Sequence, residues 1–197
     1  MHPQLTSIVH ELDAARSRLH ALAATVDDAD WNRRPDPDRW SVAECVAHLD
    51  LTGEAFLPLI DEALGRAYAK GNGLRRRLRR SFAGWLLWRA QAPNPRFRIK
   101  TSKRFVPTGE LPKTGLIERF DALHEELVSR IERADGYPID RVRLVSPFDA
   151  KVKYDVYSSF TIIARHEHRH LRQAEQMRDA LHSGKAATPA SRAAATR

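Results

Sequence analysis

Apolar residues recur at three- and four-residue steps in four long stretches of this chain, and that rhythm constrains its fold more than any other property. Leu5, Ile8, Val9, Leu12, Ala15, Leu19, Leu22 and Val26 form the first stripe. On a helix of about 3.6 residues per turn they share one face, which must be buried against another element. A second stripe runs through Cys45, Val46, Leu49, Thr52, Phe56, Leu59, Ile60 and Ala63 towards Tyr68. Ser41 and Glu44 precede it at capping-box spacing, so each can satisfy a backbone N–H of the other at the helix start. The turn-rich Arg33-Arg34-Pro35-Asp36-Pro37-Asp38 separates the two helices.

A third helix is expected from Leu116, Ile117, Phe120, Leu123, Leu127 and Ile131, ending near Asp135-Gly136-Tyr137-Pro138, where glycine can cap and proline cannot continue. Lys151 to Val156 alternates like a short exposed strand or an extended lead-in. The fourth helix starts near Ser158 or Ser159 and reaches about Leu181, with Ile163, His166, His170, Gln173 and Met177 facing inward. Four such helices with one long connection predict an all-α fold, a four-helix bundle with a crossover between helices two and three. The domain spans 1–182, with a basic amphipathic insertion at about 71–112. Residues 183–197, rich in Ala, Ser and Thr, read as a disordered tail.

The single cysteine, Cys45, excludes an internal disulfide framework, and the first residues lack the basic-then-apolar layout of a signal peptide. No apolar run reaches the roughly 18 residues needed to span a bilayer. These features predict a soluble cytoplasmic protein. The formal charge of +8 is local: Ala63 through Gly109 holds thirteen Lys or Arg and no Asp or Glu, so the rest of the chain carries 8 − 13 = −5. Basic residues with few interleaved aromatics and no reading module disfavour nucleic-acid binding.

Within that basic segment Leu74, Leu78, Phe82 and Trp85 can share one helical face and Arg75, Arg76, Arg79 and Arg80 another, before Ala92-Pro93-Asn94-Pro95 stops the helix. Residues 96–112 read as irregular or extended chain. The four arginines are candidates to hold an anionic small-molecule substrate, since guanidinium pairs well with carboxylate. With Leu86, Leu87 and Trp88 nearby, the segment also suits peripheral membrane contact. Its plain alternative is that the aromatics cover a bundle end or a dimer contact.

The fourth helix carries Arg165-His166-Glu167-His168-Arg169-His170. His166 and His170, four apart, lie on one face and can grip one ion, while His168 points away. The letters also spell H-E-x-x-H, the zinc-protease signature, with Glu167 as general base. Only 27 residues follow His170, and they hold neither the second downstream motif nor a suitably distant Glu; Glu175 is too close. A bundle site instead draws its third ligand from another helix. His48, mid-helix and one turn from Cys45 and Thr52, completes a three-nitrogen site with positions left open for substrate. Glu167 then becomes a flank residue available for ion pairing. Gln173 is placed to steady a water or a histidine N–H. His124 is a possible substitute ligand or an ordinary helix-edge histidine, and Cys45 reads as a buried small hydrophobe.

Trp40-Ser41-x-x-Glu44-x-x-x-His48-Leu49, followed by His166-x-x-x-His170-x-x-Gln173, resembles the DinB-like superfamily of metal-binding four-helix bundles over roughly residues 5 to 182. The resemblance implies a divalent transition metal, usually Zn or Ni, held by His48, His166 and His170, and frequent homodimers. It also implies thiol-dependent S-transferase or isomerase chemistry with a low-molecular-weight thiol cosubstrate in some members. Together these expectations describe a metal-dependent enzyme of the thiol S-transferase or hydrolase type. The alternative is a non-catalytic bundle used for binding or membrane-surface association.

Overall fold

The computed structural model describes residues 1–71, 77–92 and 101–187, the last four by backbone alone. In chain order the elements are α1 (Pro3–Thr25), a single turn α2 (Asp28–Trp31), α3 (Val42–Tyr68), α4 (Phe82–Ala90), a 3-10 turn (Lys103–Phe105), α5 (Lys113–Arg133), β1 (Arg143–Val145), β2 (Lys153–Asp155) and α6 (Val156–Ala187). The all-α bundle is built from α1, α3, α5 and α6, which carry the four apolar stripes. Both α1 and α3 pack on α5 and on α6, which puts α1 and α3 at opposite corners. Bonds from His168 to the Glu11 carbonyl and from Arg18 to Glu175 show that α1 and α6 run in the same direction. Bonds from Arg16 to Asp121 and from His124 to Asp13 show that α1 and α5 run in opposite directions.

The capping box forms as its spacing predicts. Ser41 Oγ accepts from the Glu44 N–H at 3.1 Å, and the Glu44 carboxylate accepts from the Ser41 N–H at 2.8 Å. Burial opposes ionisation of Glu44, but Arg34 and Ser41 outweigh it and hold the carboxyl below its usual range. The helix therefore starts at one fixed residue, which sets the rotational position of everything after it, His48 included.

Two apolar clusters fill the interior. One contains Leu12, Phe56, Ile60, Ile131, Tyr154 and Phe160, and the other Leu19, Trp31, Val46, Phe120, Leu171 and Met177. Each such side chain contributes about 1.5–3 kcal/mol on full burial. Polar residues interrupt the core where the clusters meet: His48, Asp50 and Thr52 on α3, and His166, Glu167 and His170 on α6, all buried.

The connection between α3 and α5 departs from expectation. No helix runs through 77–81; α4 begins only at Phe82, capped by Ser81 Oγ, which accepts from the Gly84 N–H. Gln4 takes both the N–H and the carbonyl of Leu78, at 2.7 and 3.1 Å. Asp140 and Asp155 accept from the N–H groups of Arg79 and Ser81. Those remote side chains supply the partners that a continuous helix would otherwise provide. Leu78 does not share the apolar face expected of it with Phe82 and Trp85: it is half-buried ahead of the helix, while Phe82 is 79% exposed. Leu74, Arg75 and Arg76 lie outside the described residues.

α4 docks closely on α6. A Cβ on Gly84 would overlap the Ser158 side chain, so only glycine fits there. Asp155 joins the two helices: its carboxylate caps α6 through the Ser158 N–H and hydroxyl and accepts from Ser81 at the head of α4. The extended segment before α6 pairs antiparallel with β1, Leu144 opposite Tyr154. α6 itself continues to Ala187, beyond the expected end near Leu181, and residues 188–197 of the expected tail lie outside the described residues.

Candidate metal centre

Three imidazoles converge where the two core clusters meet. His48 from α3 and His166 and His170 from α6 each offer one ligand atom, and these atoms lie within 4.8 Å of one another. The ring centroids are separated by 5.1 Å for His48 and His166 and by 4.5 Å for the other two pairs. The four-residue spacing brings His166 and His170 onto one helical face, and the Ser41 cap sets α3 so that His48 meets them.

Hydrogen bonds fix which nitrogen two of the rings present. His48 Nδ1 lies 2.8 Å from the carbonyl oxygen of Phe105, which can only accept, so Nδ1 carries the proton and Nε2 keeps its lone pair. His166 Nδ1 lies 3.3 Å from Gln91 Oε1 at the end of α4. Arg169 donates to that same oxygen at 3.1 Å and to the Ala90 carbonyl at 3.2 Å, which orients the amide with its oxygen towards His166. His166 is thereby held in the same tautomer. Its Nε2 is buried without a hydrogen-bond partner, as is Nδ1 of His170. Unengaged buried nitrogens cost about 1–3 kcal/mol each, and a cation between the rings would engage them. The donor set thus fits a divalent transition ion.

The electrostatics point the same way. Burial holds His166 and His170 well below the usual histidine range, and the neighbouring rings and Arg169 push further in that direction. His48 is lowered chiefly by burial, against the opposing pull of the Phe105 carbonyl. Neutral rings are the form that ligates a metal. Trp40 packs over His48 and His170 with centroids at 5.1 and 6.1 Å, and Phe148 lies 6.1 Å from His166. Gln173, half-buried one turn beyond His170, is the one neighbour whose side chain favours protonation of that ring.

Other candidates are placed elsewhere. Glu167 is buried but lines a cavity of about 20 Å³ among Leu49, Phe56, Phe120, Leu123 and Ile163, and its Oε2 has no hydrogen-bond partner. It does not join the histidine cluster, which removes the general-base geometry of the protease reading. Among the described residues it has no ion pair of the flank kind expected of it; burial pushes its carboxyl up to about 8, and Asp50 adds to the effect. His168 donates to the Glu11 carbonyl on α1. His124 is buried against α1, bonded to Asp13. Cys45 is fully buried, and burial pushes its thiol up, consistent with a small core residue. Of the four anionic-ligand candidates, Arg79 is exposed and Arg80 stacks on Trp88 at 4.4 Å while donating to Thr161. Arg75 and Arg76 lie outside the described residues.

Sequence reasoning missed Gln91, Arg169, Phe105 and Trp40 as supports of the site. Trp40 stood in the quoted motif without a role. The backbone carbonyl of Phe105 leaves no trace in the identity of that residue.

Fold and site together define a helical bundle with a three-histidine, metal-fitted centre shared between its second and last long helices. The chain belongs to the DinB superfamily, whose family model matches residues 11–174. No curated protein and no solved structure matches it.

Proposed function

We propose that this protein is a metal-dependent enzyme of the thiol S-transferase or hydrolase type, with His48, His166 and His170 as ligands to one zinc or nickel ion. The observation that carries the reading is the set of three buried, neutral imidazoles from two helices, two of them with Nε2 freed by bonds to Nδ1. When bound, such an ion lowers the pKa of a thiol or water and stabilises developing negative charge. The chain's own residues prepare for that chemistry. Phe105 and Gln91 keep the Nδ1 protons in place, Arg169 adds positive potential that favours an anion beside the rings, and Trp40 packs against His48 and His170.

A groove of about 490 Å³ shares Phe105 and Phe148 with the surroundings of the centre, with Leu51, Pro58 and Leu59 along its walls and Arg104, Glu54 and Asp149 as its charged residues. Its walls suit a small substrate with an apolar body. A reduced low-molecular-weight thiol of the cytoplasm would supply the nucleophile: its sulfur bonds to the electrophilic carbon, and the thiol proton leaves with the departing group. Conjugation or hydrolysis assays with zinc- or nickel-loaded protein and a panel of thiols test the reading. Turnover that disappears in His166→Ala supports it. Stoichiometric metal without turnover of any thiol or water acceptor would make the bundle a binding protein.

A further inference from the structure

The outward face of α4 has no role in the metal centre. Its inward residues are fixed, with Gly84 against Ser158 and Trp88 between the guanidinium groups of Arg80 and Arg165, at 4.4 and 3.9 Å. The opposite face presents Phe82, Trp85 and Leu86, at 79%, 42% and 53% exposure, three of the five large hydrophobic residues exposed among those described. They sit at i, i+3 and i+4, so they form one continuous stripe. Arg89 lies one turn further, its guanidinium 5.8 Å from the Trp85 ring, and Arg79 is exposed just ahead of the helix.

We infer that this face is a docking surface for an anionic membrane. Charge selects the occupant. α4 carries Arg89 and no carboxylate, and Arg79 is exposed just ahead of it, so a second copy docking through the same face would bring like charges together. An anionic lipid surface attracts that charge and accepts the aromatic stripe into its headgroup boundary, where tryptophan and arginine side chains are both well accommodated. Among the described residues no helix is long and apolar enough to cross a membrane, so contact through α4 would be peripheral. A nine-residue helix is about 13 Å long, and Gln91 follows it, so the surface sits close to the metal centre.

The test is flotation of the full-length protein with vesicles of phosphatidylcholine alone and of phosphatidylcholine mixed with phosphatidylglycerol, at low and high salt. The wild type should float only with the anionic vesicles and be released by salt. Phe82→Ser with Leu86→Ser should reduce partitioning by roughly tenfold or more, given the apolar area removed, with the melting temperature kept because both side chains are exposed. Arg79→Gln with Arg89→Gln should weaken anionic binding in an otherwise native fold. Absence of flotation at low salt overturns the inference, as does a Phe82/Leu86 variant that floats like the wild type. Sedimentation velocity showing a dimer dissolved by that variant, without vesicle binding, would assign the face to a second copy instead.

Discussion

Gln91 Oε1 stands between His166 Nδ1 at 3.3 Å and an Arg169 guanidinium nitrogen at 3.1 Å, so one amide oxygen fixes the tautomer of a metal-fitted histidine and is itself oriented by an arginine. The amide comes from α4, an element of the crossover, and the two donors come from α6. The centre therefore depends on how the crossover docks.

Replacing that amide tests the dependence. Gln91→Leu removes the acceptor but leaves all three ligands, and loss of such an outer partner typically costs 10–100-fold in metal affinity, roughly. Competition with a chromophoric chelator should show that loss, together with a fall of several degrees at most in the melting temperature of the metal-free protein, since the His166 N–H loses its acceptor at a cost of about 1–3 kcal/mol. An affinity equal to wild type would mean that Gln91 does not position His166.

Docking of α4 can be tested at its tightest contact. Gly84→Ala places a methyl group inside the Ser158 side chain, and overpacking of this kind costs about 1–3 kcal/mol. Thermal denaturation should register the loss, and metal affinity should fall with it because Gln91 shifts. A fully stable Gly84→Ala variant would show that α4 moves away from α6 at little cost.

Glu167→Gln separates the bundle site from the H-E-x-x-H protease arrangement. Glu167 lines an apolar cavity and not the histidine cluster, so the isosteric amide should retain both metal content and activity within about twofold of wild type, a difference well under 1.4 kcal/mol. Elemental analysis and turnover read the outcome. A loss of several orders of magnitude in turnover would restore Glu167 as the general base.

His124 gives a pH dependence with a definite sign. Burial lowers its folded-state pKa, and Asp13 only partly opposes this. The unfolded chain then takes up the proton more readily, so stability is intact above the ordinary histidine value of about 6.5 and falls as the pH drops below it. Urea titrations of the metal-free protein across that range should show the fall, and His124→Gln should make it shallower by the share of His124, leaving the part due to His48, His166 and His170. An unchanged slope in the variant would assign the acid sensitivity to other groups.

Much of this architecture was legible in the residues, because its signals are local. The capping box at Ser41 and Glu44, the apolar stripes and the four-residue spacing of His166 and His170 are each set within one or two turns of helix. Placing His48 opposite them needed only the phase of α3, which the cap determines. What escaped was fixed at long range. Gln4, Asp140 and Asp155 occupy the backbone of 78–81 and postpone α4 to Phe82, although the local sequence reads as helix from Leu74. β1 and the one-turn α2 are too short to leave a periodicity, whereas the alternation from Lys151 to Val156 marks β2. Glu167 looked like a surface flank because its neighbours in sequence are charged, yet it faces Phe56 and Phe120 across the bundle.

The central claim, that His48, His166 and His170 hold one metal ion, is tested most directly by elemental analysis of the purified full-length protein and of His170→Ala. The account predicts about one zinc or nickel per wild-type chain and loss of that ion in the variant, since two imidazoles on one helical turn leave the site incomplete. Wild-type protein that remains metal-free after incubation with zinc and nickel, or His170→Ala that keeps the full complement, would contradict it.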